Sequence, residues 1–389
     1  MAVKDKAEAE AVSLANSSIP ETPSPSKIPR TTLSRLEQSP ADGSATPELD
    51  TVLYLAFGSN LCAETFLGKR KIQPLSSINV TAPSLRLTFS IPGLPYLEPC
   101  FANTAPRKIP KEPLLPDPQN PAPVVPPPIA DPDGPPTWDK GLVGVVYEVT
   151  KEDYARILAT EGGGSSYHEI VVPCLAIPPR MQVPENPGGV IPKPFLARTL
   201  CMPILPEIPT KPEESKMSDG EDSGDGDDDK NKKRKGWWWW LTRNRQRPDP
   251  EYAEPSLRYL NLIRTGAAEH ELPDEYQAYL AALHSYTVTR TSQKMARLAM
   301  AIMWGPAIIV IFSLGSMLAD KESGRVPTWY AGVMTGMFNC VWWSYDVVFK
   351  RVFGDGERTM ERDEEERAWW VFGRREGRIR LCAGDEGRS

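Results

Sequence analysis

The sequence predicts an α+β protein in which a β-rich, barrel-like core with flanking helices is followed by a C-terminal membrane hairpin. Three observations carry that expectation. Short aromatic and β-branched runs recur between residues 51 and 205, as strands require. Residues 255–283 show helical periodicity, with Leu257, Leu260, Ile263 and Ala267 on one face. Residues 298–319 carry no charge over 22 positions, which matches the roughly 20 residues a helix needs to cross the hydrocarbon core.

Residues 1–50 are rich in Ser, Pro, Thr and charge with almost no aromatics, too little apolar surface to offset ordering entropy, so disorder is expected. At Thr51 the character changes: Thr-Val-Leu-Tyr-Leu-Ala-Phe, stopped by Gly58, reads as a buried strand entering a turn. Leu85–Ile91 reads as a second strand, and Phe101–Thr104 as an edge. Residues 106–136 are dense in proline and read as an insertion. Leu142–Val149 has the strongest strand pattern, and Lys151–Ala159 follows as a short helix capped by Thr150. His168–Ala176 and Ala197–Leu205 read as further strands.

Residues 207–250 form a second insertion with an acidic run, a basic run and Trp237–Trp240. The segment Lys232–Trp240 is either a charged excursion or a patch for anionic lipid headgroups, and membrane spans argue against nuclear entry. Two helices broken at Pro273 then close a domain spanning 51–285. Residues 294–350 hold one or two transmembrane helices, the second run, Thr328–Phe349, carrying Asp346. Basic residues on both outer flanks favour a hairpin with both ends cytosolic. Residues 351–389 read as a charged tail.

Composition excludes several function classes. A net charge of −6 over 389 residues gives no reason to expect nucleic-acid binding. Cysteines 62, 100, 174, 201, 340 and 382 form no C-x-x-C pair and have no histidines at ligand spacing, so a zinc site is not expected. The first residues, including Lys4, Lys6 and Glu8, reach no apolar stretch like that of a secretory signal, so a cytosolic catalytic unit with reduced thiols is expected.

The turn Phe57-Gly58-Ser59-Asn60-Leu61 closes a strand, where backbone N–H groups can converge on an anion or a carbonyl oxygen. Taken alone, Gly-Ser-Asn is an ordinary turn. Glu161, at the end of the short helix, has the bland reading of a solvated helix terminus. His168 begins a strand and reads as an edge residue. Ser165 and Ser166 have no triad pattern, and Gly162–Gly164 lacks the Lys and Ser/Thr of a phosphate loop.

The order of several blocks changes these readings. Tyr54-Leu55-Ala56-Phe57-Gly58-Ser59-Asn60-Leu61 resembles the Y-x-A-Y-G-S-N-L signature of γ-glutamylcyclotransferases, departing from it at Phe57. Gly141–Glu148, the pair Glu161-Gly162, and Pro255-Ser-Leu-Arg-Tyr259 with Gly266-Ala267 and Leu272–Tyr276 are similar to that family's later blocks, in the same order. The resemblance implies a mixed β-barrel flanked by helices that converts a γ-glutamyl amino acid into 5-oxoproline and the free amino acid without a cofactor. It implies Glu161 as catalytic acid/base, and Tyr54, Leu55, Ala56, Phe57, Gly58, Ser59 and Tyr259 as substrate-binding residues. Phe57 lacks a hydroxyl that the family's tyrosine offers.

The chemistry suits those residue types. The α-amine of a γ-glutamyl group is an internal nucleophile, so ring closure needs orientation and proton transfer, and one carboxylate serves both proton steps. The expectation is a membrane-anchored enzyme with its catalytic domain facing the cytosol and a small γ-glutamyl substrate. The alternative is a non-catalytic membrane-anchored protein that senses γ-glutamyl metabolites through the same pocket or acts as a scaffold.

Overall fold

The computed structural model describes residues 25–39, 49–107, 136–161, 167–180, 193–202, 247 and 249–360. The glycine run at 162–164, Ser165, Ser166, nearly all of both insertions and the end of the charged tail lie outside the described residues. Five strands close a barrel in the order β1 (Thr51–Ala56), β5 (Leu142–Thr150), β2 (Ser76–Ala82), β6 (His168–Ala176) and β7 (Phe195–Cys201). The closing β1–β7 contact is parallel and the other pairs are antiparallel, which makes the barrel mixed.

β5 is buried along nearly its whole length, because barrel packing covers one face and helices cover the other. Its Gly144 allows β1 to pass closely: a Cβ there would lie 2.3 Å from the Ala56 carbonyl oxygen. β2 has Ile78, Val80 and Ala82 interleaved with Ser, Asn and Thr, yet pairs with both β5 and β6. β3 (Leu85–Leu94) and β4 (Glu98–Pro106) form a separate hairpin, with an irregularity between Thr88 and Ile91.

Within residues 1–50, the described part includes α1 (Leu33–Glu37), which buries Leu36 and sets Arg35 Nε 2.7 Å from Glu148 Oε1. α2 (Lys151–Thr160) starts where Thr150 Oγ1 accepts the Asp153 N–H at 3.1 Å. Across the barrel lie α3 (Leu257–Glu269), capped by Ser256, and α4 (Asp274–Ala282), which restarts after Pro273.

α5 (Thr291–Leu318) is 28 residues long and, among the described residues, is the helix with the length and composition of a membrane span. Ile302, Ile309, Val310 and Met317 are exposed on it. α6 (Thr328–Ser344), at 17 residues, runs back and buries Met334, Val341 and Trp342; the Trp342 indole donates to the Gly93 carbonyl at 3.2 Å. The second expected span therefore packs on the β3–β4 hairpin, and the described residues hold one span-like helix rather than the pair a membrane hairpin needs. Apolar content alone does not separate a helix covered by protein from one covered by lipid.

Candidate active site

The site grows from the end of β1. After Ala56 the chain passes through Phe57 and Gly58 into a single tight turn, Ser59–Leu61. α3 clamps this turn. A Cβ on Gly266 would come within 2.4 Å of the Leu61 carbonyl carbon and 2.5 Å of the Cys62 nitrogen, so only glycine allows this helix–loop approach. Three residues further on, Glu269 Oε2 accepts the Ala63 N–H at 2.8 Å. At the end of α3, His270 Nε2 lies 2.7 Å from the Tyr147 hydroxyl on the barrel wall. Burial pushes the His270 ring down to about 4, opposed by a bond to the Leu61 backbone, so the imidazole is neutral at pH 7 and accepts the phenol proton.

One helical turn into α3, Tyr259 reaches the same loop. Its hydroxyl accepts the Ala102 N–H at 3.1 Å, and a Cβ on Gly58 would lie 3.2 Å from it. The ring meets Phe101 edge to face at 5.1 Å. Burial, and after it the Glu161 charge, raise the Tyr259 pKa despite the Ala102 bond, so at neutral pH the phenol keeps its proton.

Glu161 caps the C-terminal end of α2, its N–H closing on the Ile157 and Leu158 carbonyls. Its side chain is turned inward. Oε1 takes an Asn60 Nδ2–H at 3.1 Å and lies 2.6 Å from Arg70 Nη1. Asn60 also donates to the Tyr54 hydroxyl at 2.8 Å, which ties the first strand to the carboxylate in two steps. Arg70 follows the wide π-helical turn Glu64–Lys69 and donates to Thr160 Oγ1 at 2.7 Å. Tyr167 stands at the same mouth, its phenol pushed up by burial first and by the Glu161 charge second.

These residues line a cavity of about 400 Å³, within the usual range for small-molecule sites. Ser59, Thr65, Arg70, Glu161, Tyr167 and Tyr259 supply its polar side, while Ile91, Phe101, Phe312, Met334, Phe338 and Trp342 supply an apolar wall. The helices of the C-terminal segment therefore help shape the pocket.

Of the residues expected from sequence, Ser59, Glu161 and Tyr259 share this cavity, and Gly58 borders it beneath the Tyr259 hydroxyl. Tyr54 is linked to Glu161 through Asn60, and with Leu55, Ala56 and Phe57 it belongs to the hydrophobic core. Arg70, Thr65 and Tyr167 were missed. Arg70 sits in a Lys-Arg-Lys run that reads as solvated surface, and only the fold carries it to Glu161. Among the described residues no cluster of His, Cys, Asp and Glu is arranged to hold a metal ion, and the five described cysteines are free thiols.

The chain is similar to the γ-glutamyl cyclotransferase gliK of Aspergillus fumigatus, 26% identical over 315 residues, covering 81% of this chain and 92% of that one. It is 30% identical over 159 residues to the γ-glutamyl cyclotransferase verK of Clonostachys rogersoniana, covering 38% of this chain and 70% of that one. A solved γ-glutamyl cyclotransferase, 17% identical, aligns with a TM-score of 0.34 over 62% of this chain and 92% of its own. No family model matches the chain. The sequence relatives share one activity name. This chain belongs to the γ-glutamyl cyclotransferase family.

Proposed function

We propose that this protein cyclises the γ-glutamyl group of a small donor, releasing 5-oxoproline and the amine that the group had carried, with Glu161 as the acid/base. The observation that carries this reading is the position of the Glu161 carboxylate: it is bonded to Asn60 of the strand-end turn and shares one cavity with Ser59 and Tyr259.

In the proposed sequence the donor's α-ammonium gives a proton to Glu161, and the freed nitrogen attacks the γ-carbonyl carbon. The donors offered to the developing oxyanion are backbone N–H groups of the Gly58–Ser59 turn and the neutral Tyr259 phenol. Collapse breaks the original amide bond as Glu161 returns the proton to the departing nitrogen, and the second proton of the attacking nitrogen follows by way of Glu161, leaving a neutral lactam and a protonated amine. Attack within one molecule already removes most of the orientational entropy, so the residues need only hold the chain folded back and carry protons from one nitrogen to the other.

We further propose that α5 lodges in a membrane with the barrel on its cytosolic side. Its mean hydropathy of 2.1 over 18 residues, with 6% of that window buried against the rest of the chain, supports this reading. The enzymatic reading is tested by incubating the full chain in mild detergent with γ-glutamyl-L-alanine and similar donors. Equimolar 5-oxoproline and free amine are expected, and no turnover with any donor would end it.

A further inference from the structure

The cations around the cavity are not equivalent. Lys69 is paired with Glu64 at 2.9 Å and Arg258 with Glu98 at 2.5 Å, and both side chains are well exposed. Arg70 is enclosed, with about 15% of its side chain exposed, and its carboxylate partner is Glu161 itself. Both of its side-chain contacts among the described residues use one nitrogen: Nη1 donates to Thr160 Oγ1 and meets Glu161 Oε1. The edge formed by Nε and Nη2 has no partner among the described residues, and that edge is the fork that grips a carboxylate with two parallel bonds.

Two further features point to the same ligand. Thr65 lines the cavity at 8% exposure, and its hydroxyl has no partner among the described residues. Its carbonyl accepts the Arg70 N–H at 2.9 Å, which places both on one turn. Asn60, which donates to the same Glu161 oxygen through Nδ2, has a buried Oδ1 atom with no partner among the described residues. An open guanidinium edge and an orphaned acceptor thus belong to the two residues that contact one carboxylate.

Resting on the cyclotransferase reading, we propose that Arg70, with Thr65, is the receptor for the α-carboxylate of the γ-glutamyl group and selects donors in which that carboxylate is free. A γ-glutamyl group carries its amine and its carboxylate on the same carbon. With the carboxylate on the open edge of Arg70, the ammonium falls between Glu161 and Asn60 Oδ1, so positive and negative charges alternate around the ring of four groups. The receptor therefore aims the nucleophile as well as holding the donor. The ammonium gives one proton to Glu161, the new C–N bond forms as the old one breaks, and the two protons lost by the attacking nitrogen leave on the departing amine. Arg70 stays protonated throughout.

The test compares γ-glutamyl-L-alanine with its α-carboxamide analogue, using the full chain in detergent and reading kcat/KM for wild type, R70M, R70K and R258M. The amide has the same shape and a less basic amine, so poorer turnover cannot be assigned to a harder deprotonation. Wild type is expected to favour the acid by about 10²-fold, the range for hydrogen bonds to charged groups. R70M should reduce that preference to within about fivefold, R70K should retain part of it and R258M most of it. A wild-type preference below tenfold, an R70M variant that slows both donors equally, or loss of the preference in R258M instead would overturn the assignment.

A binding measurement separates this idea from the reaction. By calorimetry, E161Q should bind 5-oxoproline in clear preference to 5-oxoprolinamide, and R70M/E161Q should bind both alike. If wild type turns over no donor, the cyclotransferase reading fails and calorimetry alone decides on Arg70. Equal binding of the two ligands by E161Q would reject the receptor.

Discussion

Gly266→Ala probes the clamp on which the site is built. The added Cβ would sit 2.4–2.5 Å from the Leu61 carbonyl carbon, Leu61 Cβ and the Cys62 nitrogen, about an ångström inside ordinary contact. Two of these are backbone atoms, so no rotamer change relieves the clash. Either α3 lifts or the turn moves. Overpacking of this kind costs about 1–3 kcal/mol, and the gain in helix propensity from Gly to Ala returns up to about 1.

The net loss is modest for a domain of this size, a Tm shift of roughly 2–8 °C. The turn, however, carries Gly58, Ser59 and Asn60, and Tyr259 reaches it from the same helix. A displacement of about 1 Å in reacting groups costs on the order of 10²-fold in rate. Activity should therefore fall much further than stability, with kcat/KM for 5-oxoproline release down about 10²-fold at a temperature where circular dichroism shows the variant folded. A folded G266A protein with at least half of wild-type kcat/KM would refute the claim that this contact positions the site.

Further outcomes follow from other contacts. Tyr259→Phe keeps the ring on Phe101 but leaves the buried Ala102 N–H without its acceptor, so about 1–3 kcal/mol of stability is lost by thermal melting, with a larger loss in kcat than in KM. His270 is depressed from 6.5 to about 4, so its contribution is fully present above pH 6.5 and disappears as the pH falls toward 4. Melts of His270→Gln across that window should lack up to about 3 kcal/mol of the wild-type decline, and parallel curves would reject this source of acid sensitivity. Lysines at Ile309 and Val310 together should remove the chain from the carbonate-resistant membrane fraction, since each charge near a span centre costs about 2.5–3.5 kcal/mol. Unchanged retention would exclude α5 as the anchor.

Much of the core was legible in sequence because its signals are local. Leu142–Thr150 declares itself through an unbroken apolar run, and Thr150 was readable as the cap that starts α2. β2 was not readable, because Ile78 and Val80 stand among polar residues and its burial comes from partners distant in the chain. The anchored piece around Leu36 and Arg35 disappears in an average over fifty polar residues. The second apolar segment, marginal as a span because of Asp346, gave no sign that it packs on protein, since contacts such as Trp342 with Gly93 lie beyond any local pattern.

At the site, the four sequence blocks located Glu161, the glycine turn and Tyr259, and the fold supplies their physical reasons. Ser256 starts α3, Tyr259 reaches Gly58, and Gly266 lets the helix touch the turn. Arg70 had no such signal. Its placement beside Glu161 follows a π-helical turn and precedes Lys71 in the left-handed region at φ 55°, with the Lys71 carbonyl held by Arg156 at 3.0 Å. No periodicity announces that geometry.

The most direct test of the account is the initial rate of 5-oxoproline release from γ-glutamyl-L-alanine by wild type and Glu161→Gln. The glutamine preserves the side chain's shape, and its amide oxygen still accepts the Asn60 bond, but it cannot carry the proton. A fall in kcat of about 10²- to 10⁴-fold with KM nearly unchanged is the predicted result. A variant that keeps more than a tenth of the wild-type kcat would contradict the assignment of the proton transfers to Glu161.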